Sequence, residues 1–227
     1  PGHGVAVPLF AARPHLPVDV ARYVRGPGFR GAYAAGEYVR LDQLAVELGV
    51  SVTPVREALF QLRAEGLLVQ QPRRGFMVLP VTERDLTDIA NVQAHVGGEL
   101  AARAAQNITD EQLRVLTAIQ DELEEAYTRD DEDRAVRLNH EFHRAINVAA
   151  DSPKLAQVMS QITRYAPESV FPTISGWPAR STEHHRRVLA ALADRDPDGA
   201  RAAMSEHLAA GAGPLIEHLK EHGVIAQ

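Results

Sequence analysis

The chain has no cysteine in its 227 residues. Disulfides, iron–sulfur clusters and thiolate zinc sites are therefore excluded, and a reducing, cytoplasmic setting is the expected one. No uninterrupted apolar run approaches the roughly 18 residues of a membrane-spanning helix. No basic segment followed by an apolar block marks a secretory signal. Residues 1–15, PGHGVAVPLFAARPH, read as a loose leader. Internal repeats and low-complexity tracts are missing too, which argues against a solenoid or a disordered polymer. A strong basic patch is also lacking. Residues 1–80 hold nine arginines against six acidic residues, a balance of +3 within a total of −6, which leaves −9 for residues 81–227. Only the front of the chain is suited to face a polyanion.

What is present is globular. Hydrophobic residues make up 45% and charged residues 24%, over a length that suits one large domain or two small ones, each able to bury a core. The pattern changes at Pro80. Before it, LPVDVARYVR (16–25) has helical spacing through Val20, Tyr23 and Val24, and the glycines of GPGFRGAYAAGE break it. LDQLAVELGV (41–50) is a short amphipathic helix stopped by Gly49. Ser51 or Thr53 can cap a second helix near 53–65, with Pro54 in its first turn. LLVQQ and FMVLP flank PRRG, as two short strands joined by a tight basic turn. After Pro80 strand signals largely vanish. TERD (Thr82 to Asp85) and TDEQ (Thr109 to Gln112) resemble capping boxes for helices near 83–105 and 110–128. Further helices follow near 132–149, from Pro153, near 179–194 and from Pro197 to about 222. The fold class is mostly α: a winged helix-turn-helix over residues 16–80, then an all-α antiparallel bundle over 81–227.

Two helices joined by the tight turn LGVS present the second helix, by its N-terminal end, to a DNA major groove. Ser51, Thr53 and Arg56 lie in that end. Hydroxyls suit phosphates or base edges, and arginine can grip guanine through two hydrogen bonds. Arg73, Arg74 and Gly75 form the tip of the wing, beside the backbone or minor groove. The plainer alternative is a structural helical hairpin with surface arginines.

The bundle holds a second signal. In RLNHEFHRAIN, Leu138, Phe142 and Ile146 repeat every four residues, and Asn139 stacks over His143 on one face. His185 precedes Val188 and Leu189 by three and four residues. His207 aligns with Ala203, Met204 and Gly211. His140 and His184 are each rotated about 100° from the adjacent inward position, toward solvent or an outer ring of the site. Three inward imidazoles on three helices, with one oxygen donor, suit zinc, nickel or another first-row divalent ion. Separately buried, hydrogen-bonded core histidines are the alternative.

The run LAVELGVSVTPVREALFQLRAEGLLVQQPRRGFMV, residues 44–78, resembles the winged helix of GntR-family bacterial transcription regulators. The resemblance implies DNA contacts at Arg40, Ser51, Thr53, Arg56 and Gly75; Val52 departs from it, standing where many members carry arginine. NHEFHRAI, EHHRRVLAALADRDPDGA and ARAAMSEHL are similar to the FCD effector domain of the FadR branch. That similarity implies a metal held by Asn139, His143, His185 and His207, with Asn139 in place of a common aspartate. Gln93 stands near where such domains often carry a ligand-gripping arginine, and is the expected effector contact. The implied function is a ligand-responsive repressor, a homodimer that binds an operator in double-stranded DNA and a small organic acid. The alternative is a metal-dependent hydrolase with an accessory winged domain. Against it, HExxH spacing is missing, and helix rotation turns Glu141 and Glu206 away from His143 and His207.

Overall fold

The chain folds as two units, Pro1–Val81 and Thr82–Gln227, each with its own hydrophobic core. The computed structural model describes residues 16–25, 33, 37–64, 67–78, 82–163, 168–222 and 225. The leader and most of GPGFRGAYAAGE lie outside them.

In the first unit, α1 (Leu16–Arg25), α2 (Leu41–Leu48) and α3 (Val52–Ala64) pack around Val20, Leu44, Leu48, Val55, Leu59 and Leu62. Gly49 ends α2 in the left-handed region, at φ 69 and ψ 33, and its N–H reaches back to the carbonyls of Ala45 and Val46. Glycine adopts that geometry without Cβ strain, so the chain turns within three residues and enters α3. Strands β2 (Leu68–Gln71) and β3 (Gly75–Val78) pair antiparallel, with Gln71 opposite Gly75. A third strand, β1 (Tyr38–Val39), pairs with the other edge of β3. Two residues are too few to show a period, and β1 carries no signal in the sequence. It explains Gly75, which sits at φ 98 where a Cβ would lie 2.4 Å from the carbonyl oxygen of Val39.

The second unit is helical: α4 (Glu83–Asn107), α5 (Asp110–Thr128), α6 (Glu132–Ala149), α7 (Pro153–Thr163), a 3-10 turn (Glu168–Thr173), α8 (Trp177–Ala193), α9 (Pro197–Ala210) and α10 (Ala212–Glu221). Both expected capping boxes form. Thr82 Oγ1 accepts from Asp85 N at 3.1 Å, and Thr109 Oγ1 accepts from Gln112 N at 3.1 Å. Their partner side chains return the bond, each at 2.9 Å. Asp131 and Asp196 cap α6 and α9.

The last helix departs from expectation. It runs as two, parting at Gly211. Pro214 has no N–H to offer the carbonyl of Ala210, and its ring crowds that position, so α9 cannot continue. Gly211 also sits against Phe171, whose ring would be 3.2 Å from an added Cβ. Upstream, α9 lies hard against α4. A Cβ on Gly97 would meet Leu208 at 2.3 Å, one on Gly98 would meet Ser205 Oγ at 2.2 Å, and Ser205 Oγ donates to the carbonyl of Ala94 at 2.8 Å. Paired glycines thus admit α9 to the bundle centre and fix its rotation. No helix among the described residues is long and apolar enough to cross a membrane.

Candidate metal centre and nucleic-acid interface

In the first unit, Ser51 immediately precedes α3, and Thr53 and Arg56 lie exposed in its first turns. Arg40 is exposed just before α2. Arg73 and Arg74 are exposed in the β2–β3 turn, where Arg73 takes the left-handed φ of 67. Arg74 is steadied by Tyr38: its guanidinium lies 5.7 Å from the ring centroid and donates to the Tyr38 hydroxyl at 3.4 Å. The charge-bearing side chains named from the sequence are thus solvent-facing, while the apolar faces of the same elements form the core.

The second unit brings three distant histidines together. His143 on α6, His185 on α8 and His207 on α9 each place a ring nitrogen within 4.8 Å of the other two. His185 is wholly buried and His207 nearly so. The Nε2 atoms of His185 and His207 are 3.1 Å apart. An ion bound at about 2.0–2.1 Å holds neighbouring nitrogen donors roughly 2.9–3.4 Å apart, so this pair is spaced for one. Asn139 lies one turn before His143 on α6, half-buried. Aromatic rings wall the cluster. Phe142 stacks on His185 at 4.1 Å with the ring planes 4° apart, and Trp177 stacks on His207 at 5.9 Å.

Burial sets the charge state. It pushes His143 down to about 4, with His140 adding to the shift. His185 and His207 lie well below the usual imidazole range, chiefly from burial, then from His207, His143 and His184 for His185 and from His143 and His184 for His207. All three are neutral at pH 7, and each has a nitrogen lone pair for a Lewis acid.

Two polar residues complete the cluster. His184 is 7% exposed, and its Nδ1 lies 3.1 Å from Nδ1 of His207. Of the two outer roles open to it, solvent or an outer ring, the fold selects the second; His140 is exposed. Gln120 on α5 was not singled out from the sequence. It is fully buried and meets Nδ1 of His185 at 2.7 Å. Its signal was present: an amide among Leu116, Leu123 and Ala126 on an apolar helix face needs a polar partner inside. Gln93 is buried on α4, donating to Thr163 Oγ1 at 3.4 Å. Glu206 is exposed and pairs with Arg187 at 3.5 Å, in keeping with its expected turn away from the cluster.

A winged helix followed in the chain by a separate helical unit is the architecture of a DNA-binding transcription regulator. Sequence profiles agree: "Bacterial regulatory proteins, gntR family" matches residues 29–78, and "FCD domain" matches residues 88–210. The chain is 30% identical over 180 residues to the HTH-type transcriptional regulator McbR of Escherichia coli, covering 78% of this chain and 81% of that protein. It is 27% identical over 201 residues to the HTH-type transcriptional repressor GlaR of the same species, covering 84% and 91%. The solved structure of E. coli McbR/YncC superposes with a TM-score of 0.72 at 26% identity, over 92% of this chain and 99% of that one. The chain belongs to the GntR family of bacterial transcription regulators with an FCD domain. It is a DNA-binding transcription regulator rather than an enzyme, and the hydrolase alternative falls with that assignment.

Proposed function

We propose that this regulator is a metal-dependent, ligand-responsive repressor. Its helical unit holds zinc or nickel through His143, His185 and His207, with the Asn139 amide oxygen as fourth donor. The observation that carries this reading is the meeting of three neutral imidazoles from three helices within 4.8 Å, His185 and His207 buried and His143 half-buried. Such an ion would supply a Lewis-acidic centre that attracts an anionic ligand. Three imidazoles and an amide neutralise none of its charge, so a small organic acid is the favoured effector. Gln93 is the candidate donor to that acid. Effector binding regulates by preferring one arrangement of paired winged domains in a homodimer. Repression is supported by relatives such as GlaR, which bears that name.

DNA is read by the N-terminal end of α3 and by the wing, through Arg40, Ser51, Thr53, Arg56, Arg73, Arg74 and Gly75. Fluorescence anisotropy with DNA from the protein's own upstream region tests this at moderate salt. Arg56→Ala is expected to weaken operator binding by about 1–3 kcal/mol and relax discrimination at one base pair. Equal loss on operator and random DNA would show that Arg56 contacts only phosphate.

Asn139 gives the metal reading its own test. Asn139→Asp adds a negative charge beside the ion without changing side-chain size. Zinc affinity, measured by competition with a chelating dye, should rise roughly tenfold or more. Unchanged affinity would remove residue 139 from the ligand set.

A further inference from the structure

The proposed ion needs a lone pair on Nε2 of His185, yet a neutral imidazole can carry its proton on either nitrogen. Hydrogen bonds on α5 decide which. Gln120 Nε2 donates to Glu124 Oε2 at 3.2 Å. The same carboxylate oxygen also receives the guanidinium of Arg186, which donates in addition to Asp121 Oδ1 at 2.7 Å. Arginine only donates and an ionised carboxylate only accepts. Glu124 therefore turns the amino group of Gln120 toward itself, since the flipped amide would set carbonyl oxygen against carboxylate oxygen. The carbonyl Oε1 of Gln120 is left facing Nδ1 of His185 at 2.7 Å. That oxygen can only accept, so the proton of His185 resides on Nδ1 and the lone pair on Nε2. Gln120 is 0% exposed, so water offers its oxygen no substitute partner.

We propose that Gln120 is a positioning residue, held by Glu124 and Arg186, which fixes His185 in the Nδ1–H tautomer and keeps Nε2 ready as a donor. This rests on the metal reading for its purpose but not for its evidence, because the hydrogen bonds exist without an ion. His207 is a built-in contrast. Its Nε2 faces His185 Nε2 and its Nδ1 faces His184 Nδ1, each at 3.1 Å. With His185 fixed as an acceptor, His207 must donate from Nε2 in the metal-free protein and accept from His184 at Nδ1. An ion on Nε2 of His207 displaces that proton, after which the ring carries its proton on Nδ1 and donates to His184. Ion binding thus switches His207 and His184 and leaves His185 unchanged.

Nitrogen-15 NMR of the imidazoles, on the full-length protein with and without zinc, reads this directly. The expected result is His185 in the Nδ1–H form in both states, with His207 passing from Nε2–H to Nδ1–H on zinc addition. In Gln120→Leu, metal-free His185 should lose its single tautomer, and zinc affinity should fall about 10–100-fold. The double substitution Gln120→Glu with Glu124→Gln places an acceptor against Nδ1 again, now held by an amide donor. It should rescue the tautomer, and with it zinc affinity to within roughly threefold of wild type. An Nε2–H or mixed His185 in the metal-free wild type overturns the proposal, even if zinc binds and even if Gln120→Leu fails to fold. A pure Nδ1–H His185 in a protein that binds no zinc leaves the positioning intact and sinks the metal reading instead.

Discussion

Replacing His185 with alanine should remove zinc-induced stabilisation of the helical unit. On the proposed reading the ion binds the folded state, and zinc at about 100 times its dissociation constant should stabilise the wild-type protein by about 2.7 kcal/mol. In a unit of this size that is a rise in melting temperature of roughly 5–10 °C. In the proposed site His185 is one of three nitrogen donors, and it is wholly buried between Phe142 and His207. Loss of an outer-shell partner already costs about 10–100-fold in affinity, so loss of a donor should cost more. At the same zinc concentration the variant should show no shift. The metal-free variant should also be less stable by about 1–3 kcal/mol, because the carbonyl of Gln120 is left buried without its donor. The exposed His140→Ala is the control and should keep the full wild-type shift. Differential scanning fluorimetry with zinc, nickel and chelator measures all three proteins. An undiminished shift in His185→Ala would place the stabilising ion elsewhere on the chain.

Acid should destabilise the metal-free protein well before its carboxylates titrate. His143 is held at about 4 by burial and by His140, against 6.5 in an exposed chain. His185 and His207 are depressed in the same direction. Between these values the unfolded chain takes up protons that the folded chain refuses. Stability therefore rises with pH across that window. It is fully present above pH 6.5 and drains away as pH falls toward 4. For His143 alone the loss is roughly 3 kcal/mol, and the other two add to it. Urea denaturation of chelator-treated protein at several pH values between 7 and 4.5 measures the slope. His143→Gln, which keeps a polar side chain but cannot titrate, should make it shallower, leaving the share of His185 and His207. A stability independent of pH over that range would show that these imidazoles are solvated. Metal affinity should behave differently. Protons do not compete for nitrogens with such low affinity for them, so zinc binding should change little between pH 7 and 5, where free imidazoles would already be protonated.

Much of this molecule was legible before folding was considered, and the reason is local. Helices α4 to α6 start at Thr82, Thr109 and Asp131 because caps and first turns are written in adjacent residues. The three inward histidines were legible because the 3.6-residue period puts them in register with Leu, Val and Met on their own helices. The break at Gly211 was missed because the apolar period runs on through it, while the stop comes from Pro214 three residues later. Strand β1 was missed because it exists only through β3.

His184 and Gln120 mark the boundary between local and tertiary information. Periodicity set His184 about 100° from His185, but a helix inside a bundle has more than one buried side, and α9 covers the one His184 occupies. Gln120 lies 65 residues from His185. Its place on an apolar face said that it must find a partner, not which one. The sequence alone determined the family, the order of the helices, the solvent-facing polar start of α3 and the inward turn of three imidazoles, since each depends on neighbours within about one or two helical turns. Only the tertiary structure decided that those imidazoles meet, that His184 and Gln120 back them, and that Gln120 meets His185 at Nδ1. Those facts depend on the approach of four helices, and that approach is fixed by contacts such as Gly97 against Leu208 that no local period encodes.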